Sequence, residues 1–295
     1  MRKAMLFLVL AVGFWLVGGV SAGAVDNLKI EDWKGHSFTF MSLPDDKQVD
    51  GYGIFKVENA VRGFEGDVSV RIPYASHAGK KVLITEVVPF TAGYDLKEYM
   101  VYMTVEGSGE KLVARSMRGQ VNHLVRTSDV ENARKQFMGK TVYSKLRELS
   151  GAPSAGNKNP AAVSVGIGFP VVVVDVYPGI QVQDPIWLIV SVSGRKAILP
   201  MNYSWTNMPL MEWTNRPAWE DDLFMENPRV AFNWSPEMWR NIEAAHVVNG
   251  MFKEQVKLSW GEPTARQENG FVWIYGTKKL KFNGDVLISM EETEQ

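Results

Sequence analysis

The chain contains no cysteine among its 295 residues. Disulfide bonds, thiol nucleophiles and cysteine-ligated metals are therefore excluded together. An excess of charge of one sign is also missing, because 32 lysine and arginine residues balance 33 aspartate and glutamate residues. Without such an excess there is no electrostatic reason to expect a nucleic-acid partner or an acidic membrane surface. The composition indicates a globular protein that folds without disulfide bonds.

Histidine is scarce, and its four residues are isolated from one another: His36, His77, His123 and His246. None stands in a His-x-Glu or His-Glu-x-x-His spacing, so we expect single surface histidines rather than a zinc site. The pairs Asp45-Asp46 and Asp221-Asp222 lack the alternating ligand spacing of a calcium loop and suit solvated turns.

One catalytic pattern is matched formally. Ser193-Gly194-Arg195-Lys196 fits the Ser-x-x-Lys of penicillin-recognising enzymes, but it falls in a predicted strand turn instead of at a helix start. There is no Gly-x-Ser-x-Gly elbow, Walker loop or dinucleotide fingerprint. We therefore predict no catalytic residue, no cofactor-binding residue, no metal ligand and no cofactor, and a protein that is not an enzyme.

The N-terminus has the pattern of a secretory signal peptide. Arg2 and Lys3 precede the apolar run Met5 to Val17, and small residues follow as far as Ala24. An uncleaved membrane anchor needs about 18 apolar residues or more, whereas this shorter run ends in cleavage-competent residues. We predict that residues 1–24 are removed by cleavage between Ala22 and Ala24. The mature chain is then periplasmic or extracellular and has no integral membrane span.

An internal repeat occupies the middle of the chain. The segment Val82 to Pro89 matches Val171 to Pro178, 89 residues further on. Two more strands follow in each copy, which are Tyr99 to Val105 and Lys111 to Ala114 in the first, and Ile186 to Val192 and Lys196 to Leu199 in the second. Short strands linked by turns predict a small barrel or curled sheet. Their order resembles the SH3-like barrels of exported bacterial proteins, which implies two such units in tandem.

The segments around the two copies are less regular. Ser37 to Met41 and Tyr52 to Val57 have the pattern of short strands. Between the copies, an N-cap at Ser128 and an apolar stripe predict a helix that stops at Gly139. The stripe consists of Val130, Ala133, Phe137 and Met138. Ser150 to Ala162 is rich in small and polar residues and is typical of a flexible linker.

Residues 201–245 are rich in tryptophan and proline. Five of the ten tryptophans lie here: Trp205, Trp213, Trp219, Trp234 and Trp239. Two interpretations are open. The aromatic side chains either cover the barrels and join them to the C-terminal unit, or form a groove for a glycan or peptide, since flat, stiff rings give contact area at low entropic cost. Ser235-Pro236-Glu237 then predicts the start of a helix.

The C-terminal segment has the pattern of a helix packed on a small antiparallel sheet. Phe252, Val256 and Trp260 recur every four residues and predict one apolar helix face. Phe271 to Tyr275 predicts a strand, and Asn283-Gly284 predicts a type I′ hairpin between two further strands. The helix and the hairpin together make an αββ unit.

The same segment resembles a known family. Gly250-Met251, Val256 and the Trp260-Gly261-Glu262-Pro263 run, followed by the hairpin from Phe282 to Leu287, resemble the small outer-membrane assembly lipoproteins (SmpA/OmlA-like). The resemblance covers roughly Asn249 to Ile288. It implies the αββ fold and a setting in the bacterial cell envelope.

We expect a mainly β or α+β protein of five parts. They are a signal peptide (1–24), an N-terminal β region with the first SH3-like repeat (25–127), a helix, linker and second SH3-like repeat (128–200), a Trp/Pro-rich connector (201–245) and an assembly-lipoprotein-like αββ unit (246–295).

The favoured function is that of a non-enzymatic exported envelope protein that binds or scaffolds an envelope protein or peptidoglycan. One alternative is a secreted inhibitor of a cell-wall-targeting hydrolase, which would insert the loop Arg266 to Gly270 into an enzyme cleft. A second alternative is a cell-wall hydrolase with an unrecognised carboxylate pair.

Overall fold

The computed structural model describes residues 28–117, 119–154, 157–181, 184–201 and 223–292. The architecture is mainly β with curled half-barrel sheets, which confirms the predicted class. No helix within the described ranges is long and apolar enough to cross a bilayer. The predicted signal peptide, Asp221-Asp222 and three of the tryptophans (Trp205, Trp213 and Trp219) lie outside the described residues.

The first sheet contains seven antiparallel strands in the order β3-β2-β6-β5-β4-β1-β7. Their bounds are β1 Ser37–Phe40, β2 Tyr52–Lys56, β3 Arg71–Ile72, β4 Lys81–Thr91, β5 Lys97–Val105, β6 Lys111–Arg115 and β7 Leu124–Arg126. Three short helices, α1 Asp45–Gln48, α2 Ala60–Phe64 and α3 Tyr74–His77, lie in its connections. Asp45-Asp46 therefore begins a helix, which corrects the prediction of a turn.

The second sheet repeats this order strand for strand, as β10-β9-β13-β12-β11-β8-β14. Its strands are β8 Thr141–Ser144, β9 Glu148–Gly151, β10 Val163–Ser164, β11 Pro170–Gln181, β12 Asp184–Val192, β13 Arg195–Met201 and β14 Leu223–Phe224. The repeat therefore spans seven strands per copy, although the sequence pattern shows three.

The backbone hydrogen bonds of the two copies also correspond. A β-bulge lies between Ile84 and Glu86 in β4 and between Val173 and Asp175 in β11, at equivalent positions. Gly35 N donates to Ile84 O at 2.8 Å, and Gly139 N donates to Val173 O at 2.9 Å. Both glycines have positive φ angles, 82° and 74°, in the turn that enters the first strand of each copy. Each glycine is preceded, two positions earlier, by a large ring, so these bonds place Trp33 of the first copy at the position of Phe137 in the second.

Helix α4, Thr127–Phe137, joins the copies and packs into the core of the second sheet with Val130, Ala133 and Phe137. The predicted cap is wrong, because Arg126 and not Ser128 precedes the helix. Thr127 Oγ1 is 2.9 Å from Thr39 Oγ1, so the first hydroxyl of the helix forms a tertiary contact instead of a cap. Met138, predicted in the apolar stripe, is 43% exposed.

The linker prediction is wrong for Ser150 and Gly151, which belong to β9. They pair with Ile198 and Ala197 of β13. A side chain on Gly151 would meet Pro160 Cβ at 2.8 Å, so the glycine serves close packing here and not flexibility.

The C-terminal part contains helices α5 Pro228–Ala231, α6 Pro236–Glu243 and α7 Lys253–Trp260 and a four-stranded sheet. The strands β15 Ala265–Gln267, β16 Val272–Tyr275, β17 Lys278–Asn283 and β18 Val286–Glu292 pair in chain order. The predicted cap of α6 is confirmed, since Ser235 Oγ accepts from Met238 N at 3.1 Å.

Two details of this part differ from the sequence pattern. Phe252 is 49% exposed, whereas Gln255 and Ser259 are buried on the inner face of α7. Gln255 Oε1 accepts from Phe252 N at 2.8 Å, and this bond compensates for burying the amide group. Asn283 pairs with Val286, so the central hairpin residues are Gly284 and Asp285, one position later than predicted. A positive φ at Gly284 alone suits a type II′ turn better than type I′.

Candidate binding site

The four histidines do not come together. His36 and His123 are half-buried, His246 is exposed, and His77 is only 4% exposed, so the expected surface position is wrong for His77. Its Nδ1 lies 2.9 Å from Pro73 O, and its Nε2 lies 3.1 Å from Glu110 Oε2. The ring therefore ties α3 to the β5–β6 hairpin, a contact between chain segments that no local pattern reveals.

The Ser-x-x-Lys match lies where the sequence predicts, in a strand turn. Ser193 and Gly194 connect β12 to β13 with φ angles of 49° and 81°. Within the described ranges, no group of three or more histidine, aspartate or glutamate residues could hold a metal ion. The prediction of a protein without catalytic, cofactor or metal residues stays a prediction.

A cleft of about 1250 Å³ opens between the two sheets. Its first wall comes from the loop after β1, from α1 and from α3, and its second wall comes from the β11–β12 hairpin and the segment between β9 and β10. The walls touch where Ser42 N donates to Gly179 O at 3.0 Å. The duplication therefore creates the cleft, since each copy supplies one side.

The described lining of the cleft combines three kinds of side chain. Three aromatic rings, Tyr74, Tyr177 and Trp187, are half-buried or exposed and present flat surfaces. The hydroxyl and amide groups belong to Ser42, Gln48, Ser154, Asn157 and Asn159. The charged groups are Lys158, Arg195, Lys196 and Asp45, so cations outnumber carboxylates three to one in this lining.

Tyr177 is held in place at the edge of the cleft. Its hydroxyl bonds to the carboxylate of Asp175, and this bond, together with burial, raises the pKa of Tyr177. Burial opposes ionisation of Asp175, but the bonds from Tyr177 and Val176 N and the charges of Arg134 and Lys196 outweigh it and lower the pKa of Asp175. Tyr177 therefore stays a neutral phenol whose ring is oriented by an ionised partner.

The segment between β9 and β10 is also held in place. Ala152 N donates to Lys196 O at 3.0 Å, and Arg195 Nη2 donates to Ala161 O at 3.2 Å. Ser154 and Asn157 exchange two backbone bonds of 2.9 and 3.1 Å. The composition of the segment between β9 and β10 is equally typical of a linker and of a loop that lines a ligand site. Only these contacts show that the segment forms a wall of the cleft.

A smaller polar pocket of about 520 Å³ lies in the first sheet. Glu98, only 8% exposed, accepts a hydrogen bond from the Ser116 hydroxyl, whose oxygen accepts from Tyr99 N at 2.8 Å. His123 also lines this pocket, and burial lowers its pKa. Sequence reasoning missed this group because β5 and the end of β6 bring together residues that share no motif.

The described tryptophans of the connector join parts of the molecule. Trp239 is buried in a core with Ile167 of the second copy and with residues of α6 and α7. Trp234 stacks on Phe232 with ring centroids 4.5 Å apart and lies 5.0 Å from Trp239. For these two residues the structure favours the joining interpretation over a glycan groove.

Comparison with known proteins does not assign a function to this cleft. The resemblances to SH3-like barrels and to the SmpA/OmlA-like family therefore stay predictions, and the site is described from this chain alone. Comparison with protein-family models, curated proteins and solved structures found no match.

Proposed function

We propose that this protein is a non-enzymatic, exported envelope protein that binds cell-wall glycan in the cleft between its two sheets. The observation that carries the proposal is the combination of flat rings, amide and hydroxyl groups and an excess of cations in one cleft. Rings stack on the apolar faces of sugars, and amides bond their hydroxyls. Lysine and arginine attract carboxylates, which peptidoglycan carries on its sugars and stem peptides.

Binding is favoured over cleavage by the carboxylates at the cleft. Glycoside hydrolysis generally uses two carboxyl groups on either side of the scissile bond. In the described lining Asp45 is the single carboxylate, and its Oδ1 accepts from Gln48 Nε2 at 2.9 Å. The cleft therefore suits holding a glycan strand better than cutting it.

The finer fold assignment supports an envelope setting. We propose that the two seven-stranded sheets are SH3-like units and that the C-terminal part is an assembly-lipoprotein-like αββ unit. The shared strand order and half-barrel curl support the first assignment. Helix α7 followed by an antiparallel hairpin supports the second. Export follows from the predicted signal peptide.

The direct test is cosedimentation of the mature protein, residues 25–295, with insoluble peptidoglycan. We expect saturable binding that weakens several-fold in Trp187→Ala and in Lys158→Ala. Phe271→Ala, which removes an exposed ring outside the described cleft lining, is the matched control and should bind normally. Absence of cosedimentation by a folded protein would remove the glycan proposal, and recovery of an envelope protein at the same cleft would replace it with the protein-binding form.

The inhibitor alternative has one specific observation in its favour. Glu268, Asn269 and Gly270 have consecutive positive φ angles of 50°, 53° and 86° in an exposed turn after β15. Two non-glycine residues in this region store backbone strain, which is common at recognition sites. An assay of cell-wall hydrolases in the presence of the mature protein tests this alternative, and activity unchanged across the panel would eliminate it.

The hydrolase alternative needs a carboxylate pair, and the smaller pocket has two carboxylates in its described lining, Glu98 and Asp50, together with His123. Zymography of the mature protein against peptidoglycan tests it. A cleared band that disappears in Glu98→Gln would establish hydrolysis and overturn the non-enzymatic proposal.

A further inference from the structure

The outer face of the first sheet carries three charged side chains on separate strands. Arg71, Arg115 and Glu98 belong to β3, β6 and β5, and all three line the polar pocket of about 520 Å³. In each strand the adjacent residue belongs to the first core, and these core residues are Ile72, Ala114 and Tyr99. Since successive side chains of a strand point to opposite faces, the three charged groups share the face opposite the core.

A gap lies between the two arginines on this face. Strand β2 runs between β3 and β6, and its Gly53 also lies on the outer face, because its neighbours Tyr52 and Ile54 both belong to the first core. A Cβ added to Gly53 would meet no atom within 4 Å. Space therefore remains above Gly53, on the strand that separates Arg71 from Arg115.

The two arginines are available to a ligand. Within the described ranges neither guanidinium forms an ion pair. Arg115 lies over the ring of Phe90, 4.7 Å from its centroid, and this contact orients the guanidinium without using its N–H donors. The planar fork of donors on a guanidinium matches the two oxygens of a carboxylate. The gap between Arg71 and Arg115 is therefore suited to a carboxylate.

The pocket also contains acceptors for a cation. Glu98 is only 8% exposed and accepts from the Ser116 hydroxyl, which is held in that direction because its oxygen accepts from Tyr99 N at 2.8 Å. A carboxylate has about four acceptor sites, of which Ser116 uses one. Asp50 adds a second, exposed carboxylate to the described lining. These oxygens are suited to an ammonium group.

Charges of both signs therefore meet in one pocket. Lys47 joins the two arginines in the described lining, against two carboxylates. Burial lowers the pKa of His123, so its imidazole is neutral near pH 7 and adds no charge. The remaining lining includes the apolar side chains of Leu43, Ile54, Met117 and Val121. A ligand that fits carries both a carboxylate and an ammonium, next to an apolar group.

The second copy lacks the polar groups at three positions of this pocket. Strand register places Pro185, Pro200 and Met201 where the first copy has Glu98, Arg115 and Ser116. The same strands thus form without the two charges and the hydroxyl. Folding does not require these groups, which favours a role in recognition.

We propose that this pocket binds the zwitterionic head of an α-amino acid, with its carboxylate between Arg71 and Arg115 and its ammonium at Glu98. A volume of about 520 Å³ leaves room for a side chain as well. Two sources present this group, namely a free amino acid and a stem peptide that ends in a diamino acid. Leu43 lines both this pocket and the larger cleft, so the two cavities are adjacent. Only the stem-peptide source rests on the proposed glycan binding.

The test is calorimetric titration of the mature protein with leucine, used as both enantiomers. We expect saturable binding of at least one enantiomer. Arg71→Gln and Glu98→Gln should each weaken it about tenfold, in the range of a charged hydrogen bond. Arg240→Gln, which changes an exposed arginine outside the described lining, is the matched control and should bind as the unchanged protein does.

Changes to the ligand assign each end of the zwitterion. N-acetylleucine has no ammonium, so Glu98→Gln should not weaken its binding further. Leucinamide has no carboxylate, so Arg71→Gln should not weaken its binding further. A merely structural role of these residues would instead weaken all three ligands equally, and that result would overturn the proposal.

A third variant removes the space and keeps every charge. Gly53→Leu should abolish leucine binding, because the new side chain fills the gap between the arginines. Nothing lies within 4 Å of its Cβ, so we expect an unchanged circular dichroism spectrum. This variant keeps the proposal falsifiable if Glu98→Gln does not fold, since full affinity in a folded Gly53→Leu would contradict it.

The last arm distinguishes the two sources. A soluble stem-peptide fragment that ends in a diamino acid should compete with leucine if the cell wall supplies the ligand, and should not compete if the ligand is a free amino acid. Trp187→Ala should leave leucine binding unchanged, so failure of the glycan proposal is seen separately. Absence of binding by both leucine and the fragment in a folded protein would overturn the proposal. Cleavage of the fragment that stops in Glu98→Gln would also overturn it, by making the pocket catalytic.

Discussion

The two seven-stranded sheets keep the same backbone and differ in their side chains wherever their neighbours differ. Strand order, the bulge and the glycine turn correspond between the copies. In the second copy α4 packs into the core and Ile167 joins the core of the C-terminal part, whereas the first copy meets α4 through polar contacts such as Lys81–Glu131. The comparison teaches that a duplicated backbone tolerates different surfaces, because its hydrogen bonds do not depend on side chains.

The polar pocket shows the same divergence inside the sheets. By strand register, Pro185 and Met201 of the second copy occupy the positions of Glu98 and Ser116 in the first. Both second-copy residues are buried and apolar. A buried carboxylate with its hydroxyl partner is thus a property of one copy, which points to a requirement other than folding.

The largest expected effect compares the stability contributed by Phe137 and Trp33, two buried rings at equivalent positions of the two copies. Phe137→Ala should lower the free energy of unfolding by about 3–5 kcal/mol, because Phe137 is fully buried and its loss leaves a cavity. Trp33→Ala removes the equivalent ring of the first copy and should cost a similar amount. Chemical denaturation measures both, with Met138→Ala as the exposed control at less than about 0.5 kcal/mol. A small loss in Phe137→Ala would show that α4 is not part of the second core.

A second change tests the contact that only the second copy makes with the C-terminal part. Arg147 donates to Ile242 O at 2.5 Å and to Glu243 O at 3.3 Å, whereas the equivalent residue of the first copy is Leu43. Arg147→Ala should cost about 2 kcal/mol, since it leaves carbonyls without their charged donor.

Arg147→Lys should recover only part of that loss, because a lysine cannot reach several carbonyls in one plane. Unfolding curves of the three proteins measure the difference. Full recovery of stability by lysine would mean that the positive charge stabilises the contact and that the several N–H donors of the guanidinium are not needed.

A smaller effect compares the helices that follow each copy. Ser235→Ala removes the cap of α6 and should cost about 1 kcal/mol. Ser128→Ala should change the unfolding free energy by less than about 0.5 kcal/mol, because Ser128 does not cap α4. Thermal denaturation followed by circular dichroism measures both, and equal losses would contradict the assigned start of α4.

The smallest effect concerns pH and the Arg134–Asp175 pair. The pKa of Asp175 is lowered in the folded protein, so its contribution to stability is present above the pKa of the unfolded chain, about 4. That contribution is lost as the pH falls through the folded pKa. Asp175→Asn should therefore flatten the acid side of a stability profile between pH 5 and about pH 2, and Arg134→Ala should flatten it less. An unchanged profile in Asp175→Asn would contradict the pairing.

Much of the fold follows from local pattern. The alternation in Val82 to Pro89 and its copy predicts β4 and β11, and the residues that follow predict the next two strands of each copy. The short outer strands β3 and β10 have two residues each and carry no periodicity, so only pairing with neighbours defines them. Gln255 and Ser259 are buried although they are polar. Buried helix faces are inferred from apolar periodicity, so the sequence could not predict that these two residues face the core.

The candidate sites were less accessible to sequence reasoning than the fold. The cleft needs both copies at once, with Tyr74 in one wall and Trp187 in the other. The Glu98–Ser116 contact joins residues 18 positions apart across a hairpin. Neither arrangement leaves a spacing motif, because side chains that meet through strand pairing are related by register and not by a fixed interval.

The sequence by itself determined where the longer strands and several turns form, through alternation of apolar residues and through glycines that adopt positive φ angles at Gly35 and Gly139. Only the tertiary structure decided which strand edges are covered, which carboxylates are buried and where the cleft opens. The physical reason is that backbone conformation is chosen locally, residue by residue. Burial and pairing, by contrast, depend on which distant segment becomes the neighbour, so Val176 is fully buried in a core that includes α4 whereas Val87 is only partly buried against the first core.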